Sequence, residues 1–211
     1  MKESINSIWI LTAAINICLM QLGFAFVEVG SIHRKNTTNI LFKNLVDTFF
    51  GAMGFFAFGH AFGNNADGGL FGQGKFFGVN LTRDEQLSWL FQLSFCSTSA
   101  TIVSGGLAER TYIEPYVLFS FLVGAFVYPI ASAWVWGGGW LQLMGFHDFA
   151  GSGVVHLLGG IGAFVGTIIL GPRIGFFVDS NKDTDVKKRI KKLNKKNKVK
   201  LRKVKKILNK N

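Results

Sequence analysis

The 211-residue sequence holds only two cysteines, Cys18 and Cys96, each inside an apolar run. That is too few for a disulfide framework, and their spacing gives no metal-binding pair. Residues 1–175 are also poor in charge. They carry 8 Lys+Arg and 9 Asp+Glu, one charge short of neutrality. A nucleic-acid-binding fold spreads cations over a folded face, and these residues do not. The last 36 residues, 176–211, lack glycine and hold 15 basic and 3 acidic residues, so the chain's net charge of +11 is the property of a tail. A soluble α/β enzyme needs polar faces that the first 175 residues mostly lack. Disorder of that part is excluded by its hydrophobicity. No catalytic set, cofactor motif or metal-ligand set is read from the sequence, and an enzyme is not expected.

What is present is apolar length. A membrane-spanning helix needs about 20 mainly apolar residues, and five windows satisfy this: Ile8 to Val27, Ile40 to Phe62, Gln86 to Ala108, Pro115 to Val135 and Phe149 to Leu170. The expectation is an all-α integral membrane bundle over 1–176, with helices near 8–29, 40–63, 86–108, 113–135 and 149–171, followed by a Lys/Asn-rich tail over 177–211. The first window is long, has only Lys2 as a basic flank and lacks an Ala-x-Ala-like exit, so it reads as a retained helix rather than a signal peptide. The bias of Lys and Arg toward the tail predicts the N-terminus outside and the C-terminus in the cytoplasm. The plasma membrane is the expected location. The sequon Asn80-Leu81-Thr82 then lies outside and Asn36-Thr37-Thr38 inside.

Ionisable residues at membrane depth are costly and point to function. His156 lies within the fifth window, with Gly159, Gly160 and Ala163 at i+3, i+4 and i+7. Those small residues leave room for a small species or a second ring, and equally suit a histidine that only bonds between helices. Gly162 and Gly166 form a Gly-xxx-Gly, which Gly159 extends; such faces let helices approach closely in lipid. Asp148 lies two turns before His156 with Ser152 midway, and reads both as an N-cap of the fifth helix and as a carboxylate at an outer mouth. Trp134, Trp136 and Trp140 flank Gly137-Gly138-Gly139. They suit an interfacial belt, and they suit an indole face that holds a cation. Phe91 and Phe95, at i and i+4, form either a constriction or lipid-facing filler. Glu28 and Asp47 sit within reach of Arg34, Lys35 and Lys43 and are expected to form structural ion pairs.

Several stretches together resemble the Amt branch of the ammonium transporter (Amt/Rhesus) family. They are Met20-Gln21-Leu22-Gly23-Phe24-Ala25 with Lys35-Asn36, Phe58-Gly59 to Phe62-Gly63, and Ser104-Gly105-Gly106-Leu107-Ala108-Glu109-Arg110. Trp134 to Trp140, Asp148 to His156 and Gly171-Pro172-Arg173-Ile174-Gly175 continue the match. The resemblance covers 8–176 almost continuously, and the loop near Gly68 to Phe77 looks more like eukaryotic members. It implies ammonium or ammonia transport. Trp136, Phe91 and Phe95 would belong to an outer recruitment site and gate, Asp148 would support cation binding, and His156 would be the first of two pore histidines. Family members resemble two inverted five-helix repeats plus a last helix, assembled as trimers. This sequence matches the first repeat only. The second pore histidine, the second gate phenylalanine and a hydroxyl partner of Trp136 are therefore expected to be lacking. A truncated chain without transport of its own is one expectation, and an antiparallel pair of copies is not expected, because it would place one basic tail outside.

In the tail, Val186, Ile190, Leu193, Leu201, Val204 and Leu208 fall near helical spacing, consistent with a basic amphipathic helix on anionic lipid or with a disordered segment. Three functional readings stand. The chain transports ammonium or ammonia, in a homo- or hetero-oligomer like the family trimer. Or it is a non-conducting partner that regulates full-length relatives. Or it anchors a basic arm for anionic lipid, protein or, less readily, nucleic acid.

Overall fold

A computed structural model describes residues 2–173; the expectations for the tail over 177–211 lie outside the described residues. The chain divides into two units, Met1–Gly171 and Pro172–Asn211. The first unit is all-helical among its described residues. We number its long helices α1 (Lys2–Gly30), α2 (37–63), α3 (Arg83–Leu107), α4 (113–135) and α5 (Ser152–Leu170). Among the described residues, four stretches are both long and apolar enough to cross a membrane: Ser4–Gly30, Arg34–Gly63, Ile113–Leu143 and Ser152–Leu170.

The exception is α3. At about 1.5 Å per residue its 25 residues are long enough to span, but Ser94, Ser97, Thr98, Ser99, Thr101 and Ser104 lower its hydropathy. Its position explains the composition. It touches each of the other four helices, and no residue from 87 to 110 is exposed. A helix wrapped by protein needs small side chains more than apolar ones. Its hydroxyls turn back onto the preceding turn, Thr98 Oγ1 to Ser94 O at 2.9 Å and Thr101 Oγ1 to Ser97 O at 3.0 Å. Gln21 Nε2 of α1 then donates to Thr98 Oγ1 at 2.8 Å, tying the first helix to the central one.

The outer surface inverts the pattern of a soluble protein. Trp9, Phe26, Leu45, Phe49, Leu118, Phe164 and Ile169 are exposed while Lys43, Asp47 and Ser104 are buried. Such an exterior matches lipid, where exposed polar groups are costly.

Two contacts set the shape of the bundle. Helices α2 and α4 cross backbone on backbone: a Cβ on Gly54 would strike the Phe121 carbonyl, and one on Gly124 the Gly51 carbonyl. Each helix carries one wide π turn there, Phe55–Gly59 and Val123–Val127, and the two turns touch. The second precedes Pro129, whose missing N–H a widened turn accommodates. Helix α5 packs on α3 through Gly159, Gly162 and Gly166, where an added Cβ would meet Ile102, Val103 and Leu107.

The loops lie at two ends. One end holds the start of α3 and the loops 64–82 and 136–151, joined by Ala66 N to Gly137 O at 2.9 Å and Gly68 N to Gly138 O at 2.8 Å. The other holds 31–36 and 108–112, where Asn36 and His33 donate to Glu109. Glu109 itself has φ 61, a left-handed conformation unusual for a side-chain-bearing residue.

Candidate functional site

At the Trp136 end, α3, α4 and the 144–151 loop enclose a hollow of about 220 Å³ lined by Phe91, Gln92, Phe95, Trp136, Phe149 and Ala150. Phe91 and Phe95 are one helical turn apart, so their rings meet edge to face with centroids 5.0 Å apart. Phe95 lies 5.7 Å from the Trp136 indole. Three predicted residues thus share one aromatic wall. Phe149 stands 95% exposed at its rim. Gln92 enters the lining beside them and accepts a hydrogen bond from the buried Tyr128 hydroxyl. Neither Gln92 nor Phe149 is singled out by the sequence reading. An amide among apolar and aromatic neighbours in a charge-free run is the available signal for Gln92.

The indole is fixed by its nitrogen. Trp136 Nε1 donates to the Asp148 backbone carbonyl at 2.8 Å. The glycine run behind it closes the chain back on itself: Gly138 takes φ 83 and donates to Gln142 Oε1 at 2.8 Å, and Gly139 donates to Ala133 O at 2.9 Å. Trp134 and Trp140 stack edge to face on the far side, with Trp134 Nε1 donating to Leu70 O at 2.7 Å. Trp134 thus holds the 64–75 loop, and neither ring lines the hollow.

Asp148 is not on the face of α5, as helical spacing from His156 suggests. Gly151, at φ 91, breaks the chain before α5, so Asp148 lies in the loop and turns back over the helix start. One carboxylate oxygen accepts from Gly151 and Ser152 at 2.8 and 2.9 Å, the other from Gly153 and Val154 at 2.8 and 2.9 Å. A carboxylate has about four lone-pair positions, and four N–H groups take them. Burial works against the charge, but those N–H groups, from Val154 and Gly153 to Gly151 and Ser152, outweigh it and hold the carboxyl below its usual range. Asp148 therefore ties the indole to the start of α5, and its oxygens are already committed.

His156 sits in the wide first turn of α5, Ser152–Leu157, and is exposed on the bundle's flank beside Leu157, Gly160 and Ile161. Gly160 has open space around it, whereas Gly159 and Gly162 face α3. The small residues near His156 thus divide between an open face and a packed one. His156 is not among the residues that line the hollow.

The expected ion pairs of Glu28 and Asp47 with Arg34, Lys35 or Lys43 do not form. Glu28 accepts from Asn44 Nδ2 at 2.8 Å, and Asp47 from the Ser120 hydroxyl. Lys43 Nζ instead donates to Thr111 O at 2.6 Å and rests 4.2 Å from the centre of the Tyr116 ring. The carbonyls just past the end of α3 attract a cation more readily than helical spacing along α2 would suggest.

The comparisons with known proteins agree with this architecture. The sequence profile of the Ammonium Transporter Family matches residues 8–191. A Synechocystis relative is 45% identical over 183 residues, covering 82% of this chain and 41% of its own length. Ammonium transporter Amt2 of Archaeoglobus fulgidus is 41% identical over 184 residues, covering 81% of this chain and 39% of its own. Among solved structures, a sensor Amt protein superposes with a TM-score of 0.80 at 37% identity, covering 85% of this chain and 48% of that one. The chain spans about two fifths of the length of these curated relatives. With a central polar helix, a glycine-welded bundle and a profile match across most of its length, the chain belongs to the ammonium transporter family.

Proposed function

We propose that the Trp136 end of this chain recruits ammonium and that ammonia and its proton pass along the face of α5 that carries His156. The observation that supports this is the aromatic hollow, in which Phe91, Phe95 and Trp136 present ring faces and edges, and no Lys or Arg is among its described lining residues. A ring face attracts a cation by roughly 0.5–2 kcal/mol. Beyond the rings the surroundings are apolar, where an unpaired cation is expensive, so crossing requires the cation to give up its proton or to keep a partner. His156 is the titratable group on α5 suited to hold that proton. Gly159, Gly162 and Gly166 serve packing, holding the α5 backbone against α3 so that His156 keeps its place. The Trp136 end faces outside and the Glu109 end the cytoplasm, in keeping with the charge bias of the sequence.

The exposure of His156 favours a second reading, in which this face of α5 is covered by another family member within an oligomer and the chain acts as that member's partner. Labelled methylammonium uptake into proteoliposomes holding this chain alone separates the two. Uptake that falls on Trp136→Ala and on His156→Ala supports transport by the chain itself. Absence of uptake, with co-purification of a full-length relative, supports the partner reading.

A further inference from the structure

Recruitment of ammonium at the Trp136 end needs more than rings. Ring faces attract any cation, quaternary ones included, so Phe91, Phe95 and Trp136 alone give no preference for a cation that carries N–H groups. Ammonium entering the hollow gives up water, and an N–H group left without an acceptor is costly. The Trp136 nitrogen is a donor already bound to the Asp148 carbonyl, and both Asp148 carboxylate oxygens are taken by backbone N–H groups. Among the described lining residues of the hollow, Gln92 carries the one side-chain oxygen. It lies one helical turn before Phe95 on the same side of α3.

Gln92 is held ready for that part. Its Oε1 accepts from the hydroxyl of Tyr128, which reaches it from α4 and is 0% exposed. An amide oxygen has two lone pairs, so one remains after Tyr128 has taken the other. By donating to it, the Tyr128 hydroxyl also holds the amide in one orientation. The amide is neutral, so it accepts from a cation without the strong hold a carboxylate would exert. We propose that Gln92 makes the hollow select cations bearing N–H groups over quaternary ones, its Oε1 accepting from the bound ammonium while the rings face the rest of the ion. Tyr128 is a positioning residue that acts through Gln92. The inference rests on the reading of the hollow as the recruitment site. A site built to bond an N–H group discriminates against the analogue that lacks it, and a purely apolar pocket does so only weakly.

The test is equilibrium binding to the detergent-purified full chain. Tryptophan emission is titrated with ammonium chloride and with tetramethylammonium chloride at constant ionic strength, and the part of the signal that Trp136→Phe removes is read. The wild-type chain is expected to bind both. Gln92→Met keeps the length of the side chain but offers sulfur, a weak acceptor. It is expected to raise the ammonium half-saturation concentration about tenfold, in line with one lost hydrogen bond to a charged group, and to leave that of tetramethylammonium unchanged. Tyr128→Phe keeps the ring and frees the amide. It is expected to raise the ammonium value about threefold, again without effect on tetramethylammonium, and it carries the test if Gln92→Met does not fold. A variant that weakens both cations together would mean packing and overturns the assignment, as does an unchanged ammonium value in the variant that carries the test. Binding of ammonium but not of tetramethylammonium by the wild-type chain overturns the division of work between rings and amide. A wild-type chain that binds neither cation at Trp136 overturns the recruitment reading and this inference with it; one that binds both and lacks only the Gln92 effect leaves that reading standing.

Discussion

Trp136 and Asp148 work as one unit at the residue scale. The indole offers the ring, and the Asp148 backbone carbonyl fixes its angle. Trp136→Ala is expected to weaken methylammonium capture about 2- to 30-fold, the range given by a lost ring contact of 0.5–2 kcal/mol. Saturation kinetics of uptake would check this, with the larger effect in apparent affinity. Asp148→Ala is expected to act through structure first. It strips four N–H groups of their acceptor and should cost about 1–3 kcal/mol. A fall in the thermal midpoint in detergent would accompany any loss of uptake. The sequence shows Trp136, Phe91 and Phe95 as candidates but not that they share a wall, because that depends on how α3 and α4 lie together.

Neighbouring glycines on one element, α5, have opposite meanings. Gly159 has Ile102 Cβ at 2.8 Å and the Ser99 carbonyl at 3.0 Å from the place its Cβ would take, while Gly160 has nothing within 4 Å. Gly159→Ala is expected to destabilise the bundle by about 1–3 kcal/mol through overpacking. Gly160→Ala should be neutral or stabilise by about 0.5–1 kcal/mol, because alanine loses less backbone freedom in a helix. Paired thermal unfolding of the two variants would decide it; equal effects would contradict the packing described. The small-residue spacing was visible in the sequence. Which glycine faces α3 was not, since the wide turn Ser152–Leu157 rotates the register that a regular helix implies. Helix α3 gives the converse case: its length could be read, but its hydroxyls look poorly suited to a membrane until four neighbours are seen around it.

For the whole molecule, two carboxylates outside the spans link stability to pH. Asp148 is held below the usual carboxylate range by backbone N–H groups, and Glu109 by Asn36 and His33 despite its burial. Groups depressed on folding stabilise the ionised form. That stability is present above the ordinary value near pH 4 and is lost as pH falls through the lower folded values. The thermal midpoint is expected to be flat from pH 7 to 5 and to fall below about pH 4, less steeply in Asp148→Asn. Orientation belongs to this scale too. With the Trp136 end outside, a membrane-impermeant maleimide should label Asn80→Cys on intact cells and leave Thr38→Cys untouched, in a background lacking Cys18 and Cys96. The reverse pattern would overturn the orientation.

The sequence by itself determined that this chain is a helical membrane protein of the ammonium transporter family, because span length, low charge and local motifs are properties of contiguous residues. Only the tertiary structure decided what surrounds each polar group. It placed Asp148 in the loop, where it clamps the first N–H groups of α5, sent Lys43 to a carbonyl and a ring instead of to a carboxylate, and held Glu28 and Asp47 on Asn44 and Ser120. Those outcomes depend on residues up to 73 positions apart brought together by glycine-scale helix crossings, and no local pattern records such distances.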